Sequence, residues 1–263
     1  MSRIDKTFTR CKAENRAAFI PFIMGGDPSL DTCAKLLDAL PASGADIIEL
    51  GIPFSDPMAD GPTIQAAGLR ALEAGTTVEK LLKLASQFRA KHQTPLVLMG
   101  YLNPLYVYGY DKFAAAAAAA GIDGIIIVDL PPEESSELEP VLTKNNIALV
   151  RLIAPTSLGA RLPLLTKGAN GYLYYVSITG ITGAGSAAAT DVADSIVSIR
   201  KATSLPVCVG FGVKTPVDVK SMAATGADGV VVGSAIVQFI HEKKSDVSAF
   251  SAYIRTLADG CRR

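Results

Sequence analysis

Short apolar runs alternate with longer amphipathic segments along most of the chain. Four of these runs follow one recurring phrase, Ser43-Gly44-Ala45-Asp46, Ala120-Gly121-Ile122-Asp123, Lys167-Gly168-Ala169-Asn170 and Thr225-Gly226-Ala227-Asp228. The phrase has the chemistry of a helix stop followed by a strand start. Glycine takes left-handed backbone past a helix end at little steric cost, and a short polar residue then turns the chain into a buried parallel strand. Four further β-rich runs, Phe19 to Met24, Pro95 to Met99, Ile147 to Ile153 and Pro206 to Val209, lie between these, which makes eight strands. Helical patterning separates them, as at Leu30 to Leu40, Val78 to Arg89, Phe113 to Ala120, Glu133 to Lys144 and Val217 to Ala224.

Near-continuous apolar strands alternating with helices specify a parallel sheet covered on its outer face. Eight such βα units close into an α/β fold of the (β/α)8 TIM-barrel type. An extra helix is expected before the first strand, and residues 1–263 are expected to form one domain, since no shift in composition marks a linker. An open doubly wound sheet is the rival, but it would carry a glycine-rich fingerprint after its first strand. The turn there reads Gly25-Gly26-Asp27-Pro28 instead. The run of alanines from Ala114 to Ala120 is read as a strong helix former packed closely on the barrel wall.

Composition narrows the choice of partner. The chain has 263 residues, is 49% hydrophobic, and balances 25 basic against 25 acidic residues with no block of like charge. Such a surface argues against nucleic acid or a membrane as partner. Cys11, Cys33, Cys208 and Cys261 are scattered without metal-like spacing, so they are expected as reduced thiols. The opening MSRIDKTF has no apolar targeting segment, and a cytoplasmic location, or an organelle stroma, is expected.

Candidate chemistry concentrates in Ile47 to Pro62, IIELGIPFSDPMADGP, where Glu49 sits inside a strand that is otherwise apolar. Burying an ionised carboxylate is costly unless it is paired or shifts its pKa. Glu49 shares parity with Ile47, which points it into the barrel mouth if that parity is the inner one. A structural ion pair with Arg151 of the fifth strand is the competing reading. Asp56 and Asp60 follow in a loop stiffened by Pro53, Pro57 and Pro62, where an aspartate serves equally as a turn or helix-cap residue; spacing does not separate these roles. Gly210-Phe211-Gly212 and Gly233-Ser234, at the ends of the seventh and eighth strands, make an expected phosphate site from backbone amides and a helix N-terminus.

Other features fill in the picture. The small, flexible loop from Ile178 to Ser186 is read as a lid, and the aromatic connection from Tyr101 to Tyr110 as either an interface or a cover for a neighbouring helix. His92 and His241 lie in helical, solvated segments, so neither a histidine metal site nor a Ser/His/Asp triad assembles. No strand carries a lysine for a Schiff base. Carboxylate acid/base chemistry on a phosphorylated substrate remains, with Phe22, Tyr101 and Tyr174 as apolar or aromatic walls for a flat group.

The segment IELGIPFSDPMADGP closely resembles the signature of the tryptophan synthase α subunit family. The likeness extends to Ser2-Arg3-Ile4-Asp5 with Phe8, to Pro21-Phe22 with Gly26-Asp27-Pro28, to Asn103-Pro104 with Tyr108-Gly109, and to Gly180-Ile181-Thr182-Gly183-Ala184, Gly210-Phe211-Gly212 and Gly233-Ser234. The resemblance implies the (β/α)8 barrel and reversible retro-aldol cleavage of indole-3-glycerol phosphate to indole and glyceraldehyde 3-phosphate. By motif, Glu49 would be the acid/base and Asp60 would stabilise positive charge at the indole nitrogen. Phe22, Tyr101 and Tyr174 would form the indole wall. Gly183, Phe211, Gly212, Gly233 and Ser234 would bind phosphate, and Thr182 would be the lid residue that meets Asp60. Asp56, Pro57, Asn103 and Pro104 would face a β subunit in an αββα assembly. No cofactor is implied in this chain; pyridoxal phosphate would belong to that β partner. The lid itself, SITGITGAGS, lacks an arginine before the glycine found in some members and the charged residues that often follow its Gly-Ala. A sugar-phosphate isomerase or epimerase, and a non-catalytic activator of a partner protein, are the alternative readings.

Overall fold

In the computed structural model, which describes residues 1–176, 185–210, 212–243 and 246–262 (side chains of 185–188 excepted), the eight strands form one closed parallel barrel in chain order. They are β1 (Ala18–Met24), β2 (Ile48–Gly51), β3 (Leu96–Gly100), β4 (Gly124–Ile127), β5 (Ala148–Ile153), β6 (Leu173–Val176), β7 (Val207–Gly210) and β8 (Gly229–Val232). β1 closes the ring on β8 through Ala18↔Gly229 to Pro21↔Val232. The helices form an outer layer. Ile23, Leu50, Leu98, Ile125, Leu149, Val209 and Val230 face it and pack with Leu37, Leu81, Phe88, Phe113, Val219, Ile236 and Ile254. Residues of the opposite parity, among them Ile20, Ile47, Val97, Ile126, Val150, Tyr172 and Cys208, fill the lumen.

The expected extra helix is present at Arg3–Ala13, begun by a capping box between Ser2 and Asp5. It plugs the lower end of the barrel. Ile4, Phe8 and Cys11 are buried in the lumen cluster, and the Phe8 ring lies 5.8 Å from that of Tyr172. Ala114 and Ala117 of the alanine-rich helix Tyr110–Ala119 are fully buried, as close packing on the wall requires.

The recurring phrase does more than stop a helix. In all four copies its last side chain accepts a hydrogen bond from the first turn-in of the neighbouring strand. Asp46 accepts from Phe19 N (2.9 Å), Asp123 from Leu96 N (2.9 Å), Asn170 from Leu149 N, and Asp228 from Val207 N (2.9 Å). Each of β2, β4, β6 and β8 is thereby stitched at its lower end to the strand that precedes it. Arginines neutralise the three carboxylates: Arg10 and Arg16 on Asp46, Arg3 and Arg89 on Asp123, and Arg200 on Asp228. Arg3 and Arg10 belong to the plug helix, so the same contacts fasten that helix to the ring.

Two expectations change. The helix expected from Glu133 to Lys144 is broken into a 3-10 turn at Pro132–Glu134 and a short helix at Glu139–Lys144. Pro140 lacks the N–H that an uninterrupted helix would need, and Arg151 holds Ser135 (2.7 Å) and Glu139 (2.9 Å) at the break. The connection after β3 is not a loop but a helix, Leu102–Tyr108. Pro104 falls in its first turn, where backbone N–H groups have no helical partner to lose. No helix among the described residues is long and apolar enough to cross a membrane.

Asp46 is the hub of the lower face, 4% exposed. Burial alone would raise its pKa, but Arg16, the Phe19 amide and Arg10 together hold the carboxyl below its ordinary value. Its stabilisation is therefore present above the ordinary carboxylate pKa and is lost as pH falls through the lowered one. Asp46→Ala leaves the Phe19 amide unpaired, strips Arg10 of its carboxylate and leaves Arg16 with Glu14 and the Ala17 carbonyl alone; it is expected to cost about 1–3 kcal/mol, read as a lower urea midpoint at neutral pH.

Candidate active site

β2 places Glu49 level with Phe22 of β1 and Val97 of β3. Its parity is that of Ile47, a lumen residue, so the inward reading holds. The carboxyl is fully buried. Tyr172 Oη donates to Oε1 at 2.7 Å, and Oε2 has no hydrogen-bond partner among the described residues. Arg151 does not reach it. That side chain has the outward parity of Leu149 and Ile153 and pairs with Glu139 on the helix side of the wall. With no cation beside it among the described residues, Glu49 is governed by desolvation, which pushes its pKa from 4.5 up to about 7 against the smaller opposing pull of Tyr172.

Sequence reasoning missed Tyr172. It lies just before β6, two residues from Tyr174, and that period-two spacing was the available signal. Burial first, and the charge of Glu49 second, push both phenols well above their usual pKa, so each remains a donor. The site's width is set by glycines. A Cβ on Gly210 would strike the Tyr174 hydroxyl, and one on Gly51 would strike the edge of the Phe22 ring. Both aromatic walls lie where only a glycine backbone leaves room.

Asp60 is half-buried in the loop after β2. The N-cap of the following helix, Pro62–Glu73, is Gly61, and no side chain caps it. The capping role for Asp60 is therefore not the one observed. Burial raises the pKa of its carboxyl, and the nearby Tyr101 hydroxyl partly restrains the rise. Tyr101 Oη also accepts from Ala59 N at 3.0 Å, and the Phe54 ring lies 5.4 Å from the Tyr101 ring. The acidic loop is thus folded down onto the aromatic wall. At the other side of the mouth, Gly212 has φ +75°, and Gly233 lies against Phe22 and starts the helix Ser234–Lys243. Thr182, Gly183, Phe211 and most of the expected lid lie outside the described residues.

Asp56 and Asn103 are exposed and Pro57 and Pro104 partly so, beside the exposed apolar side chains Met58, Tyr106 and Val107. His241 is exposed as expected, but His92 is half-buried, its ring tilted by 30° against Phe88 at 4.7 Å and 3.2 Å from Asp38. Among the described residues no group of three or more His, Cys, Asp or Glu is placed to hold a metal ion.

The arrangement suits proton transfer to a flat substrate. A family profile described as tryptophan synthase alpha chain matches residues 8–261. The chain belongs to the tryptophan synthase alpha chain family. Solved structures similar to this member include the tryptophan synthase subunit alpha of Legionella pneumophila strain Paris, at 40% identity over 99% of this chain and 98% of that one, with a TM-score of 0.91. A second alpha chain, from Legionella pneumophila subsp. pneumophila, is 39% identical over 99% and 97% of the two chains, TM-score 0.89. Mycobacterium tuberculosis tryptophan synthase is 36% identical over 100% and 99%, TM-score 0.91. As a member of the tryptophan synthase alpha chain family, the protein is an enzyme of tryptophan synthesis.

The Glu49 environment has a thermodynamic signature. Between its free pKa of 4.5 and about 7, the unfolded chain releases a proton that the folded chain keeps. Stability therefore falls as pH rises through that window, by up to about 3 kcal/mol above it. Glu49→Gln keeps an acceptor for Tyr172 and removes the charge. The variant should match wild type in urea unfolding at pH 4.5 and exceed it at pH 8; equal midpoints at both values would contradict a near-neutral Glu49.

Proposed function

We propose that the enzyme is a carbon–carbon lyase that cleaves indole-3-glycerol phosphate reversibly to indole and glyceraldehyde 3-phosphate. The observation that carries this reading is Glu49: fully buried, near-neutral in pKa, with one oxygen unpartnered among the described residues. Protonated Glu49 gives its proton to the indole carbon that bears the glycerol chain. The ring then holds a positive charge at nitrogen, where Asp60, backed by Tyr101, stabilises it. Glu49, now a carboxylate, takes the proton of the adjacent glycerol hydroxyl. The carbon–carbon bond breaks, its electron pair returns to the ring, and indole and the aldehyde are released with Glu49 protonated again. The ring itself is the electron sink.

Phe22, Tyr101 and Tyr174 enclose the flat ring in this reading. Amides at Gly212 after β7, and at Gly233 and Ser234 at the positive end of the helix Ser234–Lys243, take the phosphate together with Gly183 and Phe211. Thr182 of the lid closes toward Asp60. The similarity to M. tuberculosis tryptophan synthase supports a β subunit as partner, carrying pyridoxal phosphate in an αββα assembly. The face around Asp56, Pro57, Asn103 and Pro104 is the docking surface, and Met58, Tyr106 and Val107, exposed by 82%, 68% and 76%, supply its apolar area.

Glu49→Gln should lower indole release from indole-3-glycerol phosphate by about 10³-fold or more with the fold intact by circular dichroism; an active variant would sink the assignment. For Asp60→Asn a loss of about 10²-fold in kcat is expected, and unchanged turnover would remove Asp60 from the chemistry. Tyr106→Asp with Val107→Asp should leave the unassisted cleavage rate unchanged while weakening partner binding at least tenfold in a titration with the β subunit.

A further inference from the structure

Outside the lumen, on the helix side of the wall, lies a second polar group with unmet bonding. Arg151 leaves β5 on its outer face and is 4% exposed. Its Nη2 donates to Ser135 Oγ at 2.7 Å and to Glu139 Oε2 at 2.9 Å. Nε and Nη1 are buried and find no partner among the described residues. A buried donor without a partner costs about 1–3 kcal/mol, and more when charged, so a folded chain keeps one when something fills the gap. Beside the guanidinium, between the end of β4, residues 128–132 and the helix Leu162–Thr166, is a cavity of about 270 Å³.

We propose that this cavity binds a small monocarboxylate with a short apolar body, its carboxylate on Arg151 and its body against Leu130, Pro131 and Leu165. The neighbouring charges decide the class. Arg161 is occupied by Glu133 at 2.8 and 3.1 Å, and Asp129 accepts from Leu102 N at 2.8 Å, so the unmet donors belong to Arg151. A dianion such as phosphate would add two charges beside Asp129, Glu133 and Glu139, which like-charge repulsion disfavours, and would waste the apolar wall. A metal cation would meet two guanidinium groups. Val150 and Leu152, of lumen parity, also line the cavity, but Arg151 has the opposite, outward parity, and its unmet donors do not rest on the proposed reaction.

The test is a titration of the full chain, with labelled arginine, by sodium butyrate at constant ionic strength, followed by NMR of the arginine Nε–Hε signals. A saturable shift of the Arg151 signal in the millimolar range is expected, with sodium phosphate and sodium chloride producing none. Arg151→Met should weaken butyrate binding at least tenfold by calorimetry. Should that variant not fold, a wild-type crystal soaked in butyrate decides the matter: carboxylate density within about 3.2 Å of Nε or Nη1 supports the site. Ordered water alone in the cavity, no saturable shift, or an equal response to phosphate overturns the proposal.

Discussion

A closed ring of eight short strands works only if every strand joins it in register, because a slip of one residue turns each lumen side chain out into the helix layer. Four side chains at the lower rim impose that register here. Asp46, Asp123, Asn170 and Asp228 each take a backbone N–H of the adjacent strand at the point where the ring begins. Arg3, Arg10, Arg16, Arg89 and Arg200 cancel the charge this puts at the rim, and the first two carry the plug helix with them. Stability is concentrated at the lower end, and the upper end is left free for chemistry, as the division of labour in such barrels requires.

The alignment of Phe22, Glu49 and Val97 is a direct product of that register. Glu49 is held in a lumen whose other described members are apolar or are phenols and two thiols, Cys11 and Cys208, that burial keeps protonated. The placement destabilises the folded chain at alkaline pH and yields a carboxyl that changes protonation near neutrality. The plug helix takes part at one remove: Phe8 packs on Tyr172, and Tyr172 holds Glu49.

Much of this was legible in the sequence. The repeated Gly-containing phrase marked the four helix-to-strand returns, and apolar runs placed all eight strands to within about two residues. The stitching role of the phrase was not legible, because the partner amides lie 21 to 27 residues away in the chain. The inward direction of Glu49 followed from its parity with Ile47, but its phenolic partner sits 123 residues downstream. Arg151, the one cation considered for Glu49, proved to have the wrong parity. Propensity joined Glu133 to Lys144 into one helix because five of those residues are acidic or basic helix formers; Pro140 and the Arg151 contacts overrode it. For Asp60, a cap and a contact with an aromatic wall require the same short acidic side chain, and the fall of the cap position on Gly61 separated them.

The glycines behind the aromatic walls carry a further consequence. At Gly51 and Gly210 the pocket's bounds are drawn by main chain, with Phe22 and Tyr174 pressed against it. Every single substitution at these two positions adds atoms where rings already lie, so mutation there can only obstruct the cavity. Divergence toward other substrates is thereby channelled away from these two wall positions and toward side chains that can change size without striking a ring. In evolutionary terms the wall is a one-way constraint, and descendants of this enzyme would inherit its flat-ring slot even while their loops drifted.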